Sequence, residues 1–184
     1  VDGKLSFQSG NTDNTNKNFL MNAKIGPYTK SLGIYKCPSD VYECFIKFYQ
    51  PRVRSVSMNS FIGTTDPDYG KNQEPDCYIY HKLSQMIRPP PVNLWVFVDE
   101  HPDSINDGWT IMNVTDPNNW TDLPARYHNG ACGFCFADGH AEIKKWLEAS
   151  TRVPVKQQQY NGFVAADGAT RDTKWIIERS SAKS

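Results

Sequence analysis

The chain has 184 residues and a mass of 20.9 kDa, enough for one domain to bury a core without a metal or a dense disulfide framework. Its 20 Lys and Arg balance 20 Asp and Glu, so charge gives no reason to expect nucleic acid, a membrane surface or an acidic tail. The longest apolar runs, such as residues 94–98, fall far short of the ~20 residues that span a bilayer.

No basic leader followed by an apolar stretch opens the chain, which starts at Val1 in a polar run. This predicts a truncated or processed chain and, if the gene product is exported, a targeting segment upstream. A mean hydropathy of −0.60 with abundant Asn, Asp, Thr, Ser, Gly and Pro predicts a single loop-rich domain, residues 1–184, with a small sheet rather than a helical bundle.

Residues 1–18 read as an extended lead-in with no apolar period. A short helix follows, capped by Asn16 or Asn18. Phe19, Leu20, Ala23 and Ile25 give it three-to-four spacing until Gly26-Pro27 interrupts it. Residues 31–36 read as a turn leading into a strand, and Cys37-Pro38-Ser39-Asp40 as a tight turn. The stretch up to Gln50 has no decisive pattern.

Residues 52–62 predict a half-buried strand, because Val53, Val56, Met58 and Phe61 roughly alternate with polar residues. Residues 64–76 are a loop, and 81–87 one helical turn ended by Pro89, Pro90 and Pro91. Residues 94–98 form the strongest strand, an apolar run expected to be buried on both faces, and it ends at Asp99-Glu100.

Residues 99–126 form a long acidic loop, far above the median connection of ~5 residues. Asp99, Glu100, Asp103, Asn106 and Asp107 offer hard oxygen ligands, and such loops suit calcium, which takes ~6–8 oxygens in flexible geometry. EF-hand spacing is absent, so a solvated loop of Asx turns is the competing reading. Trp109, Trp120 and Tyr127 bracket the loop, either as a sugar-stacking platform or as plugs that pin it to the sheet. Asn113 and Asn119 match the glycosylation sequon.

Residues 127–147 read as a hairpin: two strand-like runs joined by Asp138-Gly139, the strongest short-range hairpin signal. A loop of Gly, Ala and Asp at 161–170 precedes a last helix at 172–179, with Trp175, Ile176 and Ile177 inward.

Five cysteines, Cys37, Cys44, Cys77, Cys132 and Cys135, fit an exported domain with one or two disulfides and at least one leftover thiol. The C-x-x-C of Cys132 and Cys135 lies on strand-like sequence rather than at a helix N-terminus, which removes the usual source of a reactive thiolate. His128, Cys132, Cys135 and His140 are spaced like zinc ligands. Residues three apart on a strand, however, face opposite sides and cannot easily share one ion. No serine-nucleophile, zincin or P-loop motif is present, so the chain carries no visible catalytic machinery and reads as non-enzymatic.

His128, nine residues, then Asp138-Gly139 resembles the H-x9-D-G signature near the C-terminus of bacterial prepilin-like proteins, a group similar to the major pseudopilin of type II secretion and to type IV pilins. Further segments agree in order: Gly26-Pro27-Tyr28, Ile34 through Cys37-Pro38-Ser39-Asp40, Ser57-Met58-Asn59, Val98-Asp99-Glu100, and 103–108. The resemblance spans roughly residues 20–180.

It implies an α+β pilin-like head, an antiparallel sheet of about four strands packed on an N-terminal helix largely missing from this chain. It also implies a precursor cut by a prepilin peptidase, and an inner-membrane anchor before assembly into a periplasmic or cell-surface filament. The partners it implies are copies of the chain, other pilin-like subunits and a secretion or pilus machinery. Calcium in the acidic loop gains support from the same analogy. His128 and Asp138 are expected to hydrogen-bond across the hairpin and fix the Asp-Gly turn. The competing function is an exported binding module that holds a glycan or metal in the acidic and aromatic loop.

Overall fold

The computed structural model describes residues 12–45, 48–63, 76–157, 164–165, 168 and 170–183. Most of the lead-in, the 64–75 loop and most of the 161–170 loop lie outside these.

A single 3-10 turn, Thr12–Thr15, precedes α1, Lys17–Met21. The side chain of Asn16 accepts from the backbone N–H of Asn18 and so caps α1. The first helical run ends at Met21, before Ala23 and Ile25 can join it, and Gly26-Pro27 instead opens a second helix, α2, Gly26–Thr29. Proline is tolerated in a first turn because its missing N–H would be unbonded there anyway.

The patternless stretch before Gln50 is a small hairpin of β1, Glu43–Phe45, and β2, Tyr49–Pro51. It is followed by β3, Val56–Asn59, β4, Trp95–Asp99, β5, Trp109–Thr110, and β6, Asn119–Trp120. The C-terminal elements are β7, Ala131–Phe136, β8, Ala141–Lys145, β9, Val164–Ala165, and the helix α3, Arg171–Ile177.

The architecture is α+β, with a five-stranded sheet in the order β5-β3-β4-β7-β8 and two separate two-stranded sheets. Three of the pairings in the large sheet are antiparallel, while β5 runs parallel to β3. The expected four antiparallel strands thus become five with one parallel edge, because the long loop returns Trp109–Thr110 alongside β3. Asp138-Gly139 makes the expected hairpin, with Gly139 at φ 94° where a side chain would be strained.

One face of the sheet is closed. Trp95, Val98, Cys132, Phe134 and Phe136 point into a core completed by Trp120, Leu123, Trp146 and Ile176. Phe134 sits edge-on to Trp95, Trp146 and Trp175, with ring centroids 6.0, 6.0 and 5.1 Å away. Helix α3 covers this face and is fastened by two buried carboxylates. Glu148 accepts from the backbone N–H groups of Arg171 and Asp172, and Asp172 accepts from those of Leu147 and Glu148. The two bonds to Glu148 satisfy donors that an α-helix leaves unpaired at its N-terminus, and the two to Asp172 tie the helix to the segment after β8.

The opposite face is open. Reading across the strands, Met58, Phe97, Cys135 and Ala141 form one row, while Val56 and Asp99 form the next with Gly133 and Ile143. Ile143 is 66% exposed, and Val96 and Phe97 are only half-buried. The strand expected to be buried on both sides is therefore buried on one. Two adjoining grooves of about 460 and 320 Å³ run along this face and share Val56 and Phe97. No helix among the described residues is long and apolar enough to cross a membrane.

Candidate metal centre

Where the open face meets the end of β4, three side chains of different chemistry converge. Asp99 ends β4, Cys37 follows the 3-10 turn Gly33–Tyr35, and His128 precedes β7. Their ligand atoms, one thiol sulfur, one carboxylate oxygen and one imidazole nitrogen, all lie within 4.8 Å of one another. His128 Nε2 is 3.5 Å from Cys37 Sγ and 3.9 Å from Asp99 Oδ2.

Local structure fixes each of the three. Cys37 opens a tight turn in which the N–H of Asp40 donates to its carbonyl at 2.9 Å. That turn is anchored by a buried 2.8 Å ion pair between Asp40 and Arg52. Ser55 Oγ accepts from the Cys37 N–H at 2.7 Å and donates to Asp99 Oδ1 at 3.4 Å, so one hydroxyl positions two of the three residues.

Asp99 reaches its place because residue 133 is glycine; a Cβ there would lie 3.1 Å from Asp99 Oδ2. His128 is turned back toward the sheet by consecutive positive-φ residues, Asn129 at 53° and Gly130 at 77°. Cys37 and Asp99 are buried, whereas the imidazole is 33% exposed.

Burial, only partly offset by the nearby His128 and the Ser55 hydroxyl, lifts the Asp99 carboxyl to about 6. Burial also raises the Cys37 thiol, with the Asp99 charge pushing the same way. The raised thiol argues against an activated nucleophile, and so does the geometry. In a nucleophile–His–Asp triad the base uses one ring nitrogen for each partner, whereas here sulfur and carboxylate both face Nε2. Two anionic donors and one imidazole around a common point are instead the set that holds a borderline divalent ion.

The remaining predicted ligands are not gathered with Asp99. Glu100 points into the protein, fully buried, and accepts from the hydroxyls of Ser104 and Thr110. Burial and the nearby Asp122 charge push its pKa well up. Asp103 accepts from the Lys156 N–H at 2.7 Å, and Asp107 from the Trp109 N–H at 2.8 Å. Asn106 is half-buried on the loop between them. Backbone and hydroxyl donors hold the acids one by one, and among the described residues the His, Cys, Asp and Glu side chains that gather around Asp99 are Cys37 and His128 rather than the rest of the acidic loop. Trp120 lies 1% exposed in the core and Tyr127 packs against it, which makes them plugs rather than a sugar platform.

Two further expectations are corrected. All five cysteines are free thiols, and no disulfide forms. Cys132 faces the core while Cys135 is exposed on the open side, so strand alternation separates them as the spacing indicates. Nor do His128 and Asp138 pair. They sit at opposite ends of β7, whose six residues rise about 20 Å. The partner of Asp138 is His140, at 2.6 Å, with its ring stacked on Phe136.

Reasoning along the chain missed the Cys37–Asp99–His128 cluster, since Cys37 and His128 are 91 residues apart. The three lie in separate segments, Cys37-Pro38-Ser39-Asp40, Val98-Asp99-Glu100 and the stretch that opens at His128, which no local spacing joins. No family model matches the chain, and comparison with curated proteins and with solved structures finds no match.

Proposed function

We propose that this chain is the exposed head of a non-enzymatic filament subunit of pilin or pseudopilin kind. In this reading an apolar N-terminal helix lies across the open face of the sheet and carries the head into the polymer. The observation that carries it is that face, where Cys135 and Ile143 are exposed and Val56, Met58 and Phe97 only half-buried, on strands whose other side is densely packed.

The dimensions suit such an occupant: five strands span about 19 Å at ~4.8 Å each, and a helix with its side chains is ~10–12 Å across. Burying one Phe or Ile side chain stabilises by about 1.5–3 kcal/mol, so a cover over Phe97 and Ile143 gives a helix reason to stay. The larger groove is lined by Asp13, Asn14 and Phe19 from the first described segment. A preceding helix would therefore reach the groove without crossing the sheet. The segments in Sequence analysis that resemble prepilin-like proteins supply the rest of the reading: processing by a prepilin peptidase, inner-membrane anchoring before assembly, and copies of the chain and related subunits as partners.

The test uses the full-length gene product, tagged at its C-terminus in the source cells. The expected result is that the tag appears in filaments sheared from the surface and that deleting the prepilin peptidase abolishes this. Cys135, the one exposed thiol of the five, should react with a bulky maleimide in the isolated chain and be protected in the sheared material. A product that stays out of the sheared fraction with and without the peptidase, and labels equally at Cys135, would overturn the proposal.

A further inference from the structure

We propose that Cys37 Sγ, Asp99 Oδ2 and His128 Nε2 bind one zinc-class divalent ion, which ties the Cys37 turn, the end of β4 and the start of β7 together. The distances fit zinc, with all three ligand atoms within 4.8 Å of one another. Tetrahedral zinc with Zn–S near ~2.3 Å and Zn–N or Zn–O near ~2.0 Å places sulfur and nitrogen about 3.6 Å apart and nitrogen and oxygen about 3.3 Å apart. The corresponding separations here are 3.5 and 3.9 Å, so the sulfur–nitrogen edge is already formed and a shift of about half an ångström in the carboxylate closes the other.

Charge agrees with geometry. A thiolate and a carboxylate neutralise a divalent ion, and the neutral imidazole completes a centre with no net charge, the kind that a buried position tolerates. Ser55, bonded to both Cys37 and Asp99, is the outer partner that such ligands usually have. The three side chains leave a fourth tetrahedral position for water, and the one-third exposure of His128 gives an ion a route in from solvent. A thiolate and an imidazole select zinc or cobalt over calcium. This inference does not depend on the filament reading, since it concerns the isolated chain.

The test is titration of the purified, reduced chain with Co²⁺ and then Zn²⁺. One equivalent of cobalt should produce a thiolate-to-cobalt charge-transfer band, zinc should displace it, and either ion should raise the melting temperature where Ca²⁺ does not. Cys37→Ser should abolish the band, and His128→Gln or Asp99→Asn should weaken binding by at least tenfold. Circular dichroism of the metal-free variants separates lost ligands from lost folding. If Cys37→Ser does not fold, His128→Gln, at the part-exposed ligand, decides alone. Absence of the band from the folded wild-type chain, or a band that survives in the folded variants, overturns the site.

Discussion

The same strands present two faces that behave as different materials. Inward, β4 and β7 offer Trp95, Val98, Phe134 and Phe136 to a core of interlocking aromatic rings under α3. Outward, the alternate residues Phe97, Cys135 and Ile143 are also apolar, yet nothing among the described residues covers them fully. The inner cover is also locked by paired carboxylates at Glu148 and Asp172, and among the described residues the outer face has no such fastening. An apolar pattern therefore records which surfaces are to be buried, while the cover itself can come from elsewhere in the polypeptide or from another chain.

The largest effect should come from breaking the inner face. Phe134 is 1% exposed and touches four aromatic neighbours. Phe134→Ala should cost about 3–5 kcal/mol, the range for a buried aromatic that leaves a cavity. Urea denaturation reads this as a lower midpoint at an unchanged slope. A loss below about 1 kcal/mol would mean that the core collapses around the gap and that the two faces differ less than their packing indicates.

A second prediction concerns charge behind the sheet. Burial, with Asp107 adding to it, lifts the Asp122 carboxyl to about 7, and the fully buried Glu100 beside it is raised as well. The folded protein keeps a proton on Asp122 that the unfolded chain releases near its ordinary ~3.9. The contribution of this group to stability is thus fully present below about pH 4, declines as pH rises toward 7, and is flat above. Asp122→Asn removes that decline while keeping an acceptor for the Ile111 N–H, bonded at 2.7 Å. The variant should gain on the order of a few kcal/mol over wild type between pH 4 and pH 8. Parallel melting curves across that range would refute the assignment.

Much of this contrast is legible in the sequence, but unevenly. The Asn16 cap, the Asp138-Gly139 hairpin, the β4 run and the inward Ile176 follow from local chemistry, because turn residues and apolar spacing act within a few positions. The β1–β2 hairpin escapes notice since each strand has three residues, too short for a period to register. The parallel β5 edge and the Cys37–Asp99–His128 cluster depend on chain closure over long separations, which no local pattern encodes. His128 and Asp138 fail as a pair for a related reason: a fixed spacing in sequence becomes a fixed distance only once the intervening element is known, and a strand puts them far apart.

The fastening of the inner cover gives a smaller, sharper test. Glu148 accepts from two N–H groups at the start of α3, where Thr170 provides no side-chain cap. Glu148→Ala should cost about 1–2 kcal/mol, as for loss of an N-terminal cap, and hydrogen exchange should speed up first at Arg171 and Asp172. If exchange accelerates uniformly over the core instead, α3 is not a separately fastened lid.

The smallest effect is the most informative about the outer face. Ile143 lies opposite Gly133 and is mostly exposed, so Ile143→Thr in the isolated chain should change stability by no more than ~0.5 kcal/mol, the usual range for a surface site. Threonine keeps the β-branched shape that a strand favours, so the substitution removes apolar contact and little else. In the full-length protein, a helix lying on that face would lose part of its contact with Ile143. The same substitution should then cost about 1 kcal/mol or more and should re-expose Cys135 to maleimide. Equal, small effects in both forms would mean that the open face stays open, and the contrast between the two faces would then need another explanation than a helical cover.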